Sequence, residues 1–299
     1  MNPVLRGCAA IVCALATIEI GARVCGISDL PLYVANGEIG YLPQPSQAGS
    51  FLRRSDWQFN SQSMGATEFA PTGSVDNLLL GDSIVFGGNH YRRDDRLGPQ
   101  LSRMSGQAVW PVSAPGWSLR NGLAYLRLHP EVVEASDRII FVVNSGDFAR
   151  ASSWSCERIH PRSRPISHAL FALRRYVYDW DDCGSTPQAL LVPDGSWKAE
   201  LERLVAGVRQ RGTPVMFFLY PDRAELTDEE ALATKLESLA GELLGREFSN
   251  VSVFSVGRDP RWTAEMYRDE IHPTSEGNRV LAQIIASPSP QTRLPRVNR

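Results

Sequence analysis

The chain has 299 residues, 43% hydrophobic and 21% charged, a balance that excludes a disordered or fibrous protein and leaves enough apolar side chain for a sizeable core. Its formal net charge of -2 gives no support for a nucleic-acid partner, and none is expected. The length allows two domains, or one α/β domain with additions.

The first residues need a separate reading. Gly7 to Ile18 is apolar and small, Arg6 precedes it, and Glu19 and Arg23 follow. A bilayer-spanning helix wants roughly 20 apolar residues, and this core is shorter. Three readings stay open: a signal peptide cleaved near Ala14-Leu15-Ala16, an uncleaved anchor from Val4 to Ile27 with Glu19 and Arg23 paired one turn apart, and a soluble amphipathic helix. The charge-then-apolar order favours export or anchoring, and the anchor over the cleaved peptide. We therefore delimit 1–27 as an anchor or signal segment.

Residues 28–76 show little helical period. Gly40-Tyr41-Leu42-Pro43 and the alternation of Trp57 and Phe59 predict short extended pieces, a lead-in that either wraps the body or holds it off a membrane. Next comes Leu78 to Leu80, an apolar run broken by Gly81-Asp82-Ser83. A buried strand followed by a tight turn would leave Ser83 at the strand's carboxyl end, where open α/β sheets bind ligands. The same tripeptide also suits a plain turn.

Beyond Ser83 strands and helices alternate. Leu97, Leu101 and Met104 have helical spacing; Ala108 to Val112 is the second strand, broken at Ser113-Ala114-Pro115-Gly116; Leu119 to Leu128 is helical; Arg138 to Val143 is the third strand, ending in Asn144-Ser145-Gly146-Asp147. Residues 148–188 are too long for a connection and form an insertion, possible as a lid, with a helical stretch from Ile166 to Tyr178. Helices at Leu201 to Val208 and Ala231 to Leu244 flank the strands Pro214 to Tyr220 and Val251 to Val256, and Thr274 or Ser275 caps a last helix through Ile285. The alternation predicts a five-stranded parallel sheet covered on both faces, over 77–286. Residues 287–299, with Arg293, Arg296 and Arg299, look like a solvated tail.

In a parallel sheet Ser83, Gly116 and Asn144 all lie at one edge, and His272, after the last strand, can join them. A serine hydroxyl needs a base to become nucleophilic; His272 suits that role, and Asp269, three residues earlier, can fix its tautomer. The amides of Ser83 and Gly116 and the Asn144 side chain are candidate oxyanion donors. Other candidates rank below these. His90, His129, His160 and His168 lack metal-ligand spacing, Gly87-Gly88 lacks that of a phosphate loop, Trp117 either lines a pocket or packs, and Asp82 is a turn acceptor. No cofactor or metal is expected. Cys156 and Cys183 are either a disulfide or two buried thiols.

Gly81-Asp82-Ser83, a glycine after the second strand, an asparagine-containing turn after the third and Asp269-x-x-His272-Pro273 together resemble the SGNH (GDSL) hydrolase superfamily, over Asn77 to Ile285. The resemblance implies a three-layer α/β/α fold, a Ser83 nucleophile, a His272 base oriented by Asp269, and an oxyanion hole using Ser83, Gly116 and an asparagine. Glu38-Ile39-Gly40-Tyr41 with Pro43 and Pro45, behind an apolar helix, resembles membrane-anchored bacterial members, which implies a single pass in the inner membrane with the body in the periplasm or outside the cell. One block departs: the family shows Gly-x-Asn-Asp after the third strand, whereas here Gly146 stands where the asparagine belongs and Asn144 lies two positions earlier. The implied activity is ester hydrolysis, on a small acyl ester or O-acylated surface carbohydrate. An O-acyltransferase, a lipid esterase and a catalytically weak polysaccharide-binding or assembly protein are the alternatives.

Overall fold

The computed structural model describes residues 3–178, 183–244 and 250–295. Arg296 and Arg299 of the expected tail, and four residues of the expected insertion, lie outside them. Helix α1 (Pro3–Cys25) contains no buried residue. Two antiparallel hairpins follow, β1 (Tyr33–Asn36) with β2 (Gly40–Pro43) and β3 (Gln47–Phe51) with β4 (Ser55–Phe59). Their side chains Tyr33, Ile39, Tyr41, Trp57 and Phe59 are buried in the core of the body. The lead-in is thus a wrapping layer and not a spacer.

The central sheet is parallel, in the order β6-β5-β7-β8-β9. Its strands are β5 (Asp76–Gly81), β6 (Ala108–Ser113), β7 (Arg138–Val143), β8 (Val215–Leu219) and β9 (Val251–Ser255), the five positions the sequence predicts. Between β5 and β6 lie the short α2 (Ser83–Phe86) and α3 (Leu97–Ser105); α4 (Leu119–Leu128) and α5 (Pro130–Glu134) lead to β7. The insertion carries α6 (His168–Tyr176), and α7 (Trp197–Arg209) leads into β8. After β8 come α8 (Arg223–Thr227), α9 (Glu229–Ala231) and α10 (Ala240–Leu243), and α11 (Ser275–Ala286) closes the fold.

Alternation of side chains along each strand divides the core between two faces. Leu78, Leu80, Ile139, Phe141 and Phe217 pack with α4, α7 and the lead-in, whereas Leu79, Ile140, Val142 and Phe218 pack with α2, α3 and α11. Both faces are covered, as the near-continuous apolar strands require. Each such buried leucine contributes about 1.5–3 kcal/mol over its exposed state, so the sheet is a stiff platform for its own edge.

Two elements differ from the sequence-based expectation. Ala231 to Leu244 is not one regular helix: a wide turn over Leu232–Leu236 separates α9 from α10, while Leu232, Leu236, Ala240 and Leu243 still reach the core. Residues 287–295 are not a solvated tail. Leu294 is buried and its amide donates to the Val253 carbonyl at 2.9 Å, giving the edge strand β9 a backbone partner it would otherwise lack.

Candidate active site

Ser83 is held where β5 ends. Gly81 passes so close to the next elements that a Cβ there would stand 2.5 Å from Val85 Cγ2 and 2.9 Å from the Val142 carbonyl, which reserves the position for glycine. Asp82 caps α2, its carboxylate accepting the Ile84 amide at 2.9 Å. The turn therefore delivers Ser83 to the first position of α2 with its hydroxyl at the sheet edge.

His272 reaches that hydroxyl from the far end of the chain, Nε2 lying 3.0 Å from Ser83 Oγ. Its Nδ1 is 3.0 Å from both carboxylate oxygens of Asp269. That contact fixes the tautomer with the proton on Nδ1 and leaves Nε2 to accept from serine. Partial burial raises the Asp269 pKa, but the amides of His272 and Ile271 and the His272 ring outweigh it and bring it to about 2. The carboxylate is ionised whenever the chain is folded near neutral pH.

The loop bearing this pair is pinned on several sides. The Arg268 amide donates to the His272 carbonyl at 2.8 Å, Tyr220 Oη donates to the Ile271 carbonyl at 2.7 Å, and Tyr91 Oη donates to the Pro273 carbonyl. Arg268 also sits 3.3 Å from Asp269 Oδ2 and over the Tyr91 ring. Neither Tyr91 nor Tyr220 is marked in the sequence, because each acts through a partner remote along the chain.

Gly116 follows β6, whose Ser113 pairs in register with Gly81. Its φ of 74° is the left-handed region, which glycine occupies without cost. Tyr41 Oη donates to the Pro115 carbonyl at 2.6 Å and Ser152 Oγ donates to the Gly116 carbonyl at 2.5 Å. In a trans peptide the N–H points opposite the preceding carbonyl, so the Tyr41 bond turns the Gly116 amide away from the lead-in. Trp117 packs, buried, with its indole N–H donating to the Tyr41 carbonyl at 2.7 Å.

Asn144 stands at the end of β7 but faces inward. Its side-chain amide donates to Asp147 Oδ2 at 3.0 Å and to Asp82 Oδ2 at 3.3 Å, and its carbonyl oxygen accepts the Gly146 amide. Both amide hydrogens are therefore engaged with carboxylates, one of which lies 3.4 Å from Ser83 Oγ. Burial raises the pKa of Asp82 and, helped by the charge of Asp82, raises that of Asp147 well above the usual carboxylate range. The two carboxylates meet across the Asn144 side-chain amide. Asp82 is thus more than a turn acceptor, a role that becomes visible only when β5 and β7 are seen side by side.

Of the remaining histidines, His160 is buried against Tyr33 and Tyr41, and burial, only partly offset by the Pro115 carbonyl, lowers its pKa to about 4. His90 lies near Arg268 and His272; burial and those charges lower its pKa. His129 stacks on Tyr125, and His168 begins α6. Cys156 and Cys183 form a disulfide. The insertion packs on the lead-in: the Tyr33 amide donates to the Pro161 carbonyl, and Arg164 meets the Leu30 carbonyl and Asp29.

No family model matches the chain, and no curated protein matches it. Solved structures do. A protein assigned to the lipolytic G-D-S-L family from Desulfitobacterium hafniense DCB-2 is 13% identical, with a TM-score of 0.43 over 71% of this chain and 98% of that one. A catalytic variant of an acetylxylan esterase from Geobacillus stearothermophilus is 14% identical, with a TM-score of 0.39 over 74% and 98%. A salicylyl-acyltransferase from a tetracycline biosynthetic pathway is 15% identical, with a TM-score of 0.38 over 76% and 58%. No activity or substrate passes from these proteins to this chain.

Proposed function

We propose that this chain is a serine ester hydrolase of the SGNH superfamily, with Ser83 as nucleophile, His272 as base and Asp269 as the group that orients it. The observation that carries the reading is the unbroken line Ser83 Oγ, His272 Nε2, His272 Nδ1, Asp269, each link at 3.0 Å. His272 takes the proton as Ser83 attacks the ester carbonyl and returns it to the leaving alcohol, giving an acyl-enzyme that water, activated by the same imidazole, resolves. The amides of Ser83 and Gly116 supply the oxyanion donors. Asn144 can join them only by giving up a bond to Asp82 or Asp147.

His272 and Asp269 keep 32% and 45% of their side-chain surface exposed. A base and orienting group this open to solvent admit an acyl group on a bulky, polar carrier, and O-acetyl groups on surface carbohydrate are the substrates we propose. Helix α1 is long and apolar enough to cross a membrane, and the disulfide suits an oxidising compartment. Both support a body held on the periplasmic or external side of a bacterial inner membrane by a single pass. The test is turnover of a small acetate ester, with and without an acceptor sugar. Hydrolysis by wild type that falls at least ~10³-fold in Ser83→Ala supports the reading; acyl transfer to the sugar in preference to water would move it to an acyltransferase, and activity that survives Ser83→Ala refutes it.

A further inference from the structure

The insertion carries an apolar feature that the chemistry does not use. Leu170, Leu173 and Val177 recur at intervals of three and four residues, the repeat that places side chains on one helical face, and Ile166 stands just ahead of the Ser167 cap of the same helix. Within α6 this face is partly open, Leu170 43% and Leu173 37% exposed, and the apolar residues beyond its two ends are more so, Val177 66% and Ile166 94%. Tyr176 and Tyr178 are exposed beside it. Within a water-soluble body such a stripe is unfavourable at about 25 cal/mol per Å².

The start of this stripe is tied to α1. The Glu19 carboxylate accepts Ser167 Oγ at 2.9 Å and the His168 and Ala169 amides at 3.0 Å. Arg23 pairs with Glu19 at 2.7 Å and donates to the Ile166 carbonyl at 2.9 Å, and Ser28 Oγ meets His168 Nδ1. The charged turn of α1 therefore serves to hold the first turn of α6. The stretch of α1 from Gly7 to Ile18, between Arg6 and that turn, is apolar or small and none of it is buried. A helix apolar on all sides calls for a hydrocarbon surrounding. If α1 enters a bilayer, Glu19 and Arg23 mark the water boundary, and α6 begins at that same level.

We infer that α6 is an interfacial membrane helix, its Leu170, Leu173 and Val177 face, with Ile166 ahead of it, lying in the headgroup and acyl boundary of the leaflet from which α1 emerges. The occupant of the stripe is lipid, because it is the one surrounding that also suits the all-round apolar surface of α1. Tyr176 and Tyr178 match the aromatic preference of the boundary, and exposed Arg174 complements anionic headgroups. The inference rests on the anchoring role proposed for α1. It adds a second point of membrane attachment, which fixes the attitude of the body as one helix alone does not.

The test uses the full chain in vesicles of phosphatidylcholine and phosphatidylglycerol carrying doxyl quenchers just below the headgroups. In a Cys8→Ala, Cys13→Ala, Cys25→Ala background, an environment-sensitive dye is attached at Leu173→Cys, at Ile11→Cys as the anchor control and at Met104→Cys as the body control. The expected result is severalfold quenching at 173 and 11 and none at 104. Quenching at 11 without quenching at 173 overturns the inference and leaves the anchor standing; quenching at neither overturns both. A dye at 173 that self-quenches with rising protein concentration and ignores the lipid quencher assigns the stripe to a second copy, which also overturns it.

Discussion

The crevice at the strand ends and the pair of helices α1 and α6 are built on opposite terms. In the crevice the polar side chains and loop carbonyls are held by other parts of the same chain: Ser83 by His272, His272 by Asp269, the loop carbonyls by Tyr91 and Tyr220, and two buried carboxylates by Asn144. At α1 and α6 the polar groups are satisfied too, through Glu19 and Arg23, yet the apolar side chains are left facing outward. A region whose side chains answer one another internally states its own geometry. A region whose apolar surface is unanswered states something about its surroundings.

That contrast can be broken experimentally, most forcefully in the crevice. Replacing Asp269 with Asn keeps its shape and removes the charge that orients His272; kcat on a small acetate ester should fall about 10²–10⁴-fold with little change in melting temperature. An unchanged kcat would mean that the pinned loop positions the imidazole without the carboxylate. Asn144→Leu probes the inward side of the same region. It leaves Asp82 and Asp147 without the amide between them, and unfolding free energy measured in urea should drop by about 3 kcal/mol. A neutral result would remove the claim that Asn144 serves the carboxylate pair.

The third prediction concerns pH. His160 is buried neutral, with a folded pKa of about 4 against an ordinary 6.5. The unfolded chain binds this proton first as pH falls, so the contribution is fully present above pH 6.5 and is lost as pH drops toward 4. The loss by pH 4 is on the order of 2–3 kcal/mol, and His160→Phe should flatten the acid side of the stability curve by that amount. The smallest effect belongs to the outer region. A chain begun at Gly26 loses no buried side chain of α1 and should unfold within ~1 kcal/mol of the full chain, the size of a lost helix cap, with kcat on a soluble ester unchanged. A large destabilisation would show that α1 belongs to the body after all.

Much of the crevice is legible in the sequence for a physical reason. Buried parallel strands must be apolar and must stop at turns, so Leu78 to Gly81 and Arg138 to Val143 announce themselves, and with them the positions of Ser83 and Asn144. Asp269 and His272 are legible because a carboxylate three residues before a histidine can turn back on its ring. What escapes are roles that exist only across the fold. Tyr41 reaching Pro115, Tyr91 reaching Pro273 and Asp82 meeting Asp147 through Asn144 join segments far apart in the chain. The buried Leu294 was hidden among proline and arginine, residues that suggest a free tail, because its partner is a strand edge that composition does not reveal.

The claim on which the account rests is that Ser83 is made nucleophilic by His272. It is tested most directly by labelling the purified full chain with a serine-directed fluorophosphonate, before and after Ser83→Ala and His272→Ala. The account predicts stoichiometric labelling at Ser83 in the wild type, none in Ser83→Ala, and a rate lowered by several orders of magnitude in His272→Ala. Label on another residue, or labelling of Ser83 at the wild-type rate without His272, would contradict it.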